Sequence, residues 1–265
     1  MIDLKQAETL AIRLAKMSGK ILLDSKDKIK ITEKKDKQDF CTNIDLKIEK
    51  FLIKEIHKVY PNHNILSEEI GDLKKKSDYL WVLDPIDGTK YYMKNVPLFT
   101  VSIALQYKDE LVLGVVFDPS TNRVYHAYKD GGAYLDNKQI MISETNRLDH
   151  AFIYLDMSKI HHLSKNDKEN ALLRLNRVIT ETFRVRAFGL GSLGMCYLAQ
   201  GAFDGFFDLT GTTKYVDVAA GIVIVREAGG HVSDLEEEKI TRGSKHFFGT
   251  NINLKEKLRD LILQN

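Results

Sequence analysis

Residues 81–89 read WVLDPIDGT. Trp81, Val82 and Leu83 belong to an apolar, β-rich run that delivers Asp84; Pro85 interrupts it, and Asp87, Gly88 and Thr89 follow. One tight turn therefore projects two carboxylates. Hard divalent cations, Mg²⁺ in particular, are held by a few carboxylates together with water and substrate phosphate. The amides of Gly88 and Thr89, at a helix start, add donors for phosphate oxygens. A DPxDG string alone can equally be a solvated surface turn, so its surroundings have to decide.

Working outward, YLWVLD, FTVSIALQY, LVLGVVF and RVYHAY are short β-rich runs separated by the turn-formers DPSTN and KDGG. They predict neighbouring strands of one largely antiparallel sheet. Upstream, Leu4, Ala7, Leu10, Ala11, Leu14 and Ala15 recur at helical spacing and predict a long amphipathic helix. Thr42 and Asn43 cap a second helix that ends before Pro61 and carries Asp45 in its first turn. The lysine-dense stretch Lys26 to Lys37 between these helices reads as a loop. Beyond about residue 150 the order is strand AFIYLD, helix from about Asn166 to Thr182, strand FRVRAF, short helix, strand FDGFF and the apolar helix VDVAAGIVIVREAGG. That alternation predicts a second, mixed sheet packed by helices. No repeat or low-complexity linker divides the chain. We expect one unit over 1–265, with subregions of about 1–148 and 149–265.

Two further acid positions stand near apolar runs. Ser67-Glu68-Glu69 follows Ile65-Leu66, and Asp217 heads the helix VDVAAG. In isolation the first pair reads as solvated surface and Asp217 as a helix cap. Gly189, Gly191 and Gly194 spell GxGxxG, with Asp208 at a later strand end, so a dinucleotide-binding enzyme is a formal alternative. It is disfavoured because the preceding strand carries Arg184 and Arg186, unlike the apolar strands of a buried parallel sheet. His161-His162 lies in a polar stretch, and adjacent histidines face different ways, which reads as a surface loop.

Lysine plus arginine (39) nearly cancels aspartate plus glutamate (37), which leaves no net field for nucleic acid or an anionic membrane. Cys41 and Cys196 have no metal-ligand spacing and suggest reduced thiols. The amino terminus has no apolar signal region, and no run reaches the roughly 18 residues of a membrane span. A cytoplasmic protein is expected.

Taken in order, NIDLKIEKFL, the SEE acids, WVLDPIDGT, VPLFTVSIAL, CYLAQGAFDGFFD and VDVAAGIVIVREAGG resemble the inositol monophosphatase superfamily of lithium-sensitive, magnesium-dependent phosphatases. The resemblance implies an αβαβα sandwich with two sheets, a homodimer, and about two or three Mg²⁺ ions per site, with Mn²⁺ as a substitute. It places Glu68, Asp84 and the Ile86 carbonyl on one metal, and Asp84, Asp87 and Asp217 on a second. An activated water then attacks phosphorus, with Glu68 and the Thr89 hydroxyl, oriented by Asp45, helping to take its proton. Substrate contacts fall on Asp87, Gly88, Thr89, Gly191, Asp208 and Asp217. The implied substrate is a small phosphorylated polyol or sugar, inositol 1-phosphate first.

The chain departs from the family pattern around the segment Asp208 to Asp217, which is about two residues longer than in the animal inositol enzymes. Val216 stands where a tryptophan is usual, and Asp208 replaces a longer glutamate that grips polyol hydroxyls. Lys90 after DGT points toward the bisphosphate nucleotidases, and fructose bisphosphatase is a further alternative. GSLGMC, however, lacks the lysine that the nucleotidase branch carries.

Overall fold

The computed structural model describes residues 2–33, 40–236 and 239–263. Helix α1 (Leu4–Leu23) starts at Asp3, whose carboxylate accepts from the amides of Lys5 and Gln6. A hairpin of β1 (Ile31–Glu33) and β2 (Phe40–Thr42) leads to α2 (Asn43–Val59). Thr42 and Asp45 cap this second helix reciprocally, each side chain bonding the other's backbone amide.

The large sheet then builds from β3 (Asn64–Ser67), β4 (Gly71–Leu73), β5 (Tyr79–Asp87), β6 (Thr100–Tyr107), β7 (Glu110–Asp118), β8 (Arg123–Tyr128), β9 (Ala133–Leu135) and β10 (Lys138–Gln139). Its strand order is β10-β9-β8-β7-β6-β5-β3-β4. All its pairings are antiparallel except β3 with β5, which run parallel. Between β5 and β6 lies the short helix α3 (Thr89–Met93).

The second sheet comprises β11 (Phe152–Asp156), β12 (Arg184–Arg186), β13 (Gly205–Asp208), β14 (His231–Ser233) and β15 (Phe248–Thr250), ordered β12-β11-β13-β15-β14. It is mixed, with β12, β11 and β13 parallel and the rest antiparallel. Helices α4 (Lys165–Glu181), α5 (Gly191–Ala199), α6 (Tyr215–Glu227) and α7 (Lys255–Leu263) complete the chain.

Five layers result. The apolar faces of α1 and α2 pack on one side of the large sheet through Leu14, Ile48, Trp81 and Val115. On its other side α5 and α6 fill the space between the two sheets, and α4 and α7 cover the far face of the small one. This position explains why α6 is apolar all round: Val218, Val223 and Ile224 are buried on different faces because each face meets protein.

The expected αβαβα layering is the one observed. The runs read as strands and helices fall within a few residues of the elements found, and α4 begins at Lys165 behind its cap Ser164. The lysine-dense stretch departs from a plain loop, because Lys26–Lys28 form a short 3₁₀ turn and β1 pairs with β2. Its remainder, residues 34–37, lies outside the described residues. Cys41 and Cys196 are both buried free thiols. Among the described residues no helix is long and apolar enough to cross a membrane.

Candidate active site

The β5–β6 ladder breaks between Asp84 and Asp87, and Pro85, which has no amide proton to give, sits in the break. The Ile86 amide donates to Asp84 Oδ1 at 3.1 Å, closing the turn. Gly88 then takes φ +93°, and a Cβ there would lie 2.6 Å from the Leu98 carbonyl oxygen. Glycine is required on both counts. It releases the chain into α3, so that Thr89 occupies the first helical position.

Other elements close on this turn. Glu68 leaves the carboxyl end of β3, beside its parallel neighbour β5. The following turn is held by the buried Glu49 of α2, which accepts the amides of Glu69 and Ile70 at 3.1 and 3.0 Å. Ser192 of α5 donates its amide to Asp87 Oδ2 at 2.9 Å, and its hydroxyl bonds the same oxygen. Gly191 permits that approach, since a Cβ would come within 3.0 Å of the Asp217 carbonyl oxygen. Asp217, in the first turn of α6, accepts the Lys214 amide through Oδ2 at 2.9 Å. Thr89 Oγ1 lies 3.2 Å from Asp45 Oδ1 and 2.9 Å from the Ile86 carbonyl.

The result is one cavity of about 520 Å³ whose lining includes Glu68, Asp84, Ile86, Asp87, Gly88, Thr89, Gly191 and Asp217. Asp45, fully buried, stands behind Thr89 and reaches the site through it.

Burial and mutual repulsion dominate the electrostatics. Asp84 and Asp217 are pushed well above the usual carboxylate range, first by burial and then by the charges of Glu68 and Asp87. Asp87 rises to about 7 through burial, opposed by its bonds from Ser192. Asp45 rises to about 6 through burial, against the bonds from Thr42. Such a cluster calls for a cation, and its donors are the hard oxygens that suit Mg²⁺. The acids are not a preassembled cage, however: among the described residues no trio of His, Cys, Asp or Glu side chains is arranged to hold an ion. Positive charge reaches the cluster from the chain itself, through Lys214 Nζ, which donates to Glu68 Oε1 at 2.7 Å.

Asp208 is not brought to this cavity. Its carboxylate is buried and accepts from the Thr210, Gly211 and Thr213 amides and the Thr210 hydroxyl, at 2.9 to 3.1 Å. The short side chain keeps its oxygens within reach of its own loop and spends them there. The acid that lines the wall is Asp156, its ladder partner across β11 and β13. Burial, reinforced by Asp208, raises the Asp156 pKa. Sequence reasoning passed over Asp156, although it ends AFIYLD, and the carboxyl ends of parallel strands are where ligands bind in such sheets. It also passed over Lys94, Lys159 and Lys214, which join Lys90 in the lining, and the rings of Phe40, Tyr91 and Phe188. The GxGxxG glycines follow β12, a three-residue edge strand, and not the central strand a dinucleotide fold needs. His161 and His162 form part of an exposed 3₁₀ turn.

Known proteins agree with this layout over its full extent. A sequence model described as the inositol monophosphatase family matches residues 3–264. The Nus factor SuhB of Pasteurella multocida is 36% identical over 229 residues, 85% of this chain and 84% of that protein. The inositol-1-monophosphatase of Mesorhizobium japonicum is 34% identical over 209 residues, covering 78% and 77%. In the crystal structure of the extragenic suppressor protein SuhB from Bartonella henselae, 27% identical, the same fold recurs with a TM-score of 0.91 over 98% of this chain and 99% of that one. With sequence match, fold and acid-lined cavity in accord, the chain belongs to the inositol monophosphatase family and is a phosphatase.

Proposed function

We propose that this phosphatase hydrolyses inositol 1-phosphate or a related sugar phosphate, with Mg²⁺ held by Glu68, Asp84, the Ile86 carbonyl, Asp87 and Asp217. The observation that carries the reading is the gathering of four carboxylates from β3, β5 and α6 on one cavity, where burial and mutual charge raise the pKa of three. Bound divalent cations would offset that charge, neutralise phosphoryl oxygens and make an attacking water more acidic.

The chain's residues do the rest. The Thr89 hydroxyl, set between Asp45 and the Ile86 carbonyl, orients the attacking water, and Glu68 shares in taking its proton. The amides of Gly88 and Thr89 receive phosphate oxygens. Substrate hydroxyls meet the backbone near Gly191 and the carboxylate of Asp156, which takes the wall position that the resemblance gave to Asp208. Phosphoryl transfer needs mainly positioning and charge neutralisation, so no covalent nucleophile is invoked. Family membership supports Mn²⁺ as a substitute cation, inhibition by lithium, a homodimer and a cytoplasmic location.

A second reading is favoured by the lysines of the cavity. Lys90, on α3, and Lys94, at its C-cap, stand one turn apart near the Tyr91 and Phe188 rings, a setting that suits 3'-phosphoadenosine 5'-phosphate. Parallel assays of this compound, inositol 1-phosphate, fructose 1,6-bisphosphate and histidinol phosphate, compared by kcat/KM, decide between them. The polyol or sugar phosphate should lead. A lead of more than about tenfold for the adenosine bisphosphate, ~1.4 kcal/mol of transition-state binding, would replace the first reading with the second.

A further inference from the structure

We propose that Lys214 is the site's resident counter-cation: its ammonium holds Glu68 when no divalent cation is present, must leave it for one to bind, and so sets the cation affinity. The proposal rests on the assignment of Glu68 and Asp217 as metal ligands made above.

Lys214 touches acids from two separate walls. Its Nζ donates to Glu68 Oε1 at 2.7 Å, across 146 residues of sequence, while its backbone amide donates to Asp217 Oδ2 at 2.9 Å. Helix formation does not explain a lysine here. Position 214 is the N-cap of α6, where residues with a side-chain acceptor are favoured and where a cation opposes the helix dipole. The acids explain it: a positive group at this point compensates carboxylates that burial has stripped of water.

The two partners differ in freedom. The Glu68 side chain is 13% exposed and the Lys214 side chain 40%. A long side chain of that exposure can swing its ammonium into water at small cost, since half-exposed ion pairs contribute modestly. Glu68 stays, anchored by the turn that Glu49 holds. A divalent ion brings twice the charge and can bridge several carboxylates, so it displaces the single ammonium.

The test is calorimetric titration of cation-free protein with Mn²⁺ and Mg²⁺, comparing the wild type with Lys214→Met, Lys214→Gln and the charge-keeping Lys214→Arg. Both neutral variants should bind about tenfold more tightly, and Lys214→Arg should stay near the wild type. In EDTA the neutral variants should melt below the wild type and gain more from added Mg²⁺. This melting pattern also reports folding, so poor expression of one variant leaves the other informative. Unchanged or weaker cation binding in both neutral variants, with normal binding in the wild type, would overturn the proposal alone. Absence of cation binding in every form would instead overturn the assignment of the acids as metal ligands.

Discussion

The turn at residues 84–89 and the loop at 208–217 both present aspartates near one cavity, and they use them in opposite ways. Asp84 accepts the Ile86 amide, and its charge is opposed by burial and by Glu68, Asp87 and Asp217. Asp208 is as deeply buried, at 1% exposure each, yet it accepts four hydrogen bonds from the residues that follow it. A buried carboxylate surrounded by donors organises structure, whereas one surrounded by other acids remains available to a ligand. Residue type and burial alone do not separate the two roles; the destination of the hydrogen bonds does.

The sharpest way to break this contrast is substitution at its two poles. Asp84→Asn should lower kcat/KM with Mg²⁺ by about a thousandfold or more, while the cation-free protein melts no lower than the wild type, because a repelling buried charge has gone. Full turnover in this variant would refute the assignment of Asp84. Asp208→Ala should do the reverse. Orphaning its donors should cost about 2–4 kcal/mol of stability by denaturant titration, with activity per folded molecule changed by less than about tenfold. A large loss of activity at unchanged stability would mean that Asp208 serves the substrate after all.

Thr89→Ala sharpens the comparison within the turn. The variant should lose about a hundredfold in kcat with KM moved less than about threefold, as expected for a group acting on the attacking water. A rise in KM at constant kcat would make Thr89 a binding residue instead.

The smallest effect concerns pH. The folded protein binds the protons of Asp45 and Asp87 more tightly than the unfolded chain does, with pKa values of about 6 and about 7 against 3.8. The stability these groups contribute is therefore fully present below about pH 4 and lost as pH rises through 6 to 7. Melting in EDTA should fall between pH 5 and pH 8, less steeply in Asp45→Asn, and Mg²⁺ should reverse the fall. A cation-free melting temperature that rises over this interval would contradict the raised values.

Much of the site could be read along the chain because its parts are local. Asp84, Asp87, Gly88 and Thr89 occupy one turn, Asp45 sits in the first turn of a helix with a clear start signal, and Asp217 in the first turn of an apolar helix. The cavity's other wall was less legible. Asp156 ends an ordinary-looking strand, and nothing in YLDMSK marks its carboxyl as lining a cavity with Asp87. Lys214 reads as one lysine among many until α6 docks against the large sheet and sets its ammonium on an acid 146 residues away.

By itself the sequence determined α1, α2, the strands β5 to β8 and the alternation from β11 to α6, and through family resemblance the two-sheet layering and the acids Glu68, Asp84, Asp87 and Asp217. The individual elements follow from periodicity, caps and turn chemistry, which act over a few residues, while the layering and the grouping of the acids follow from the resemblance. Tertiary structure alone decided that Asp208 closes its own loop, that Asp156 takes its place on the wall, and that Lys214 reaches Glu68. The Lys214 contact depends on which acid another segment brings within about 3 Å, and Asp156 joins the wall only when the second sheet packs beside the first, whereas the Asp208 bonds are local and depend on the conformation of its own loop.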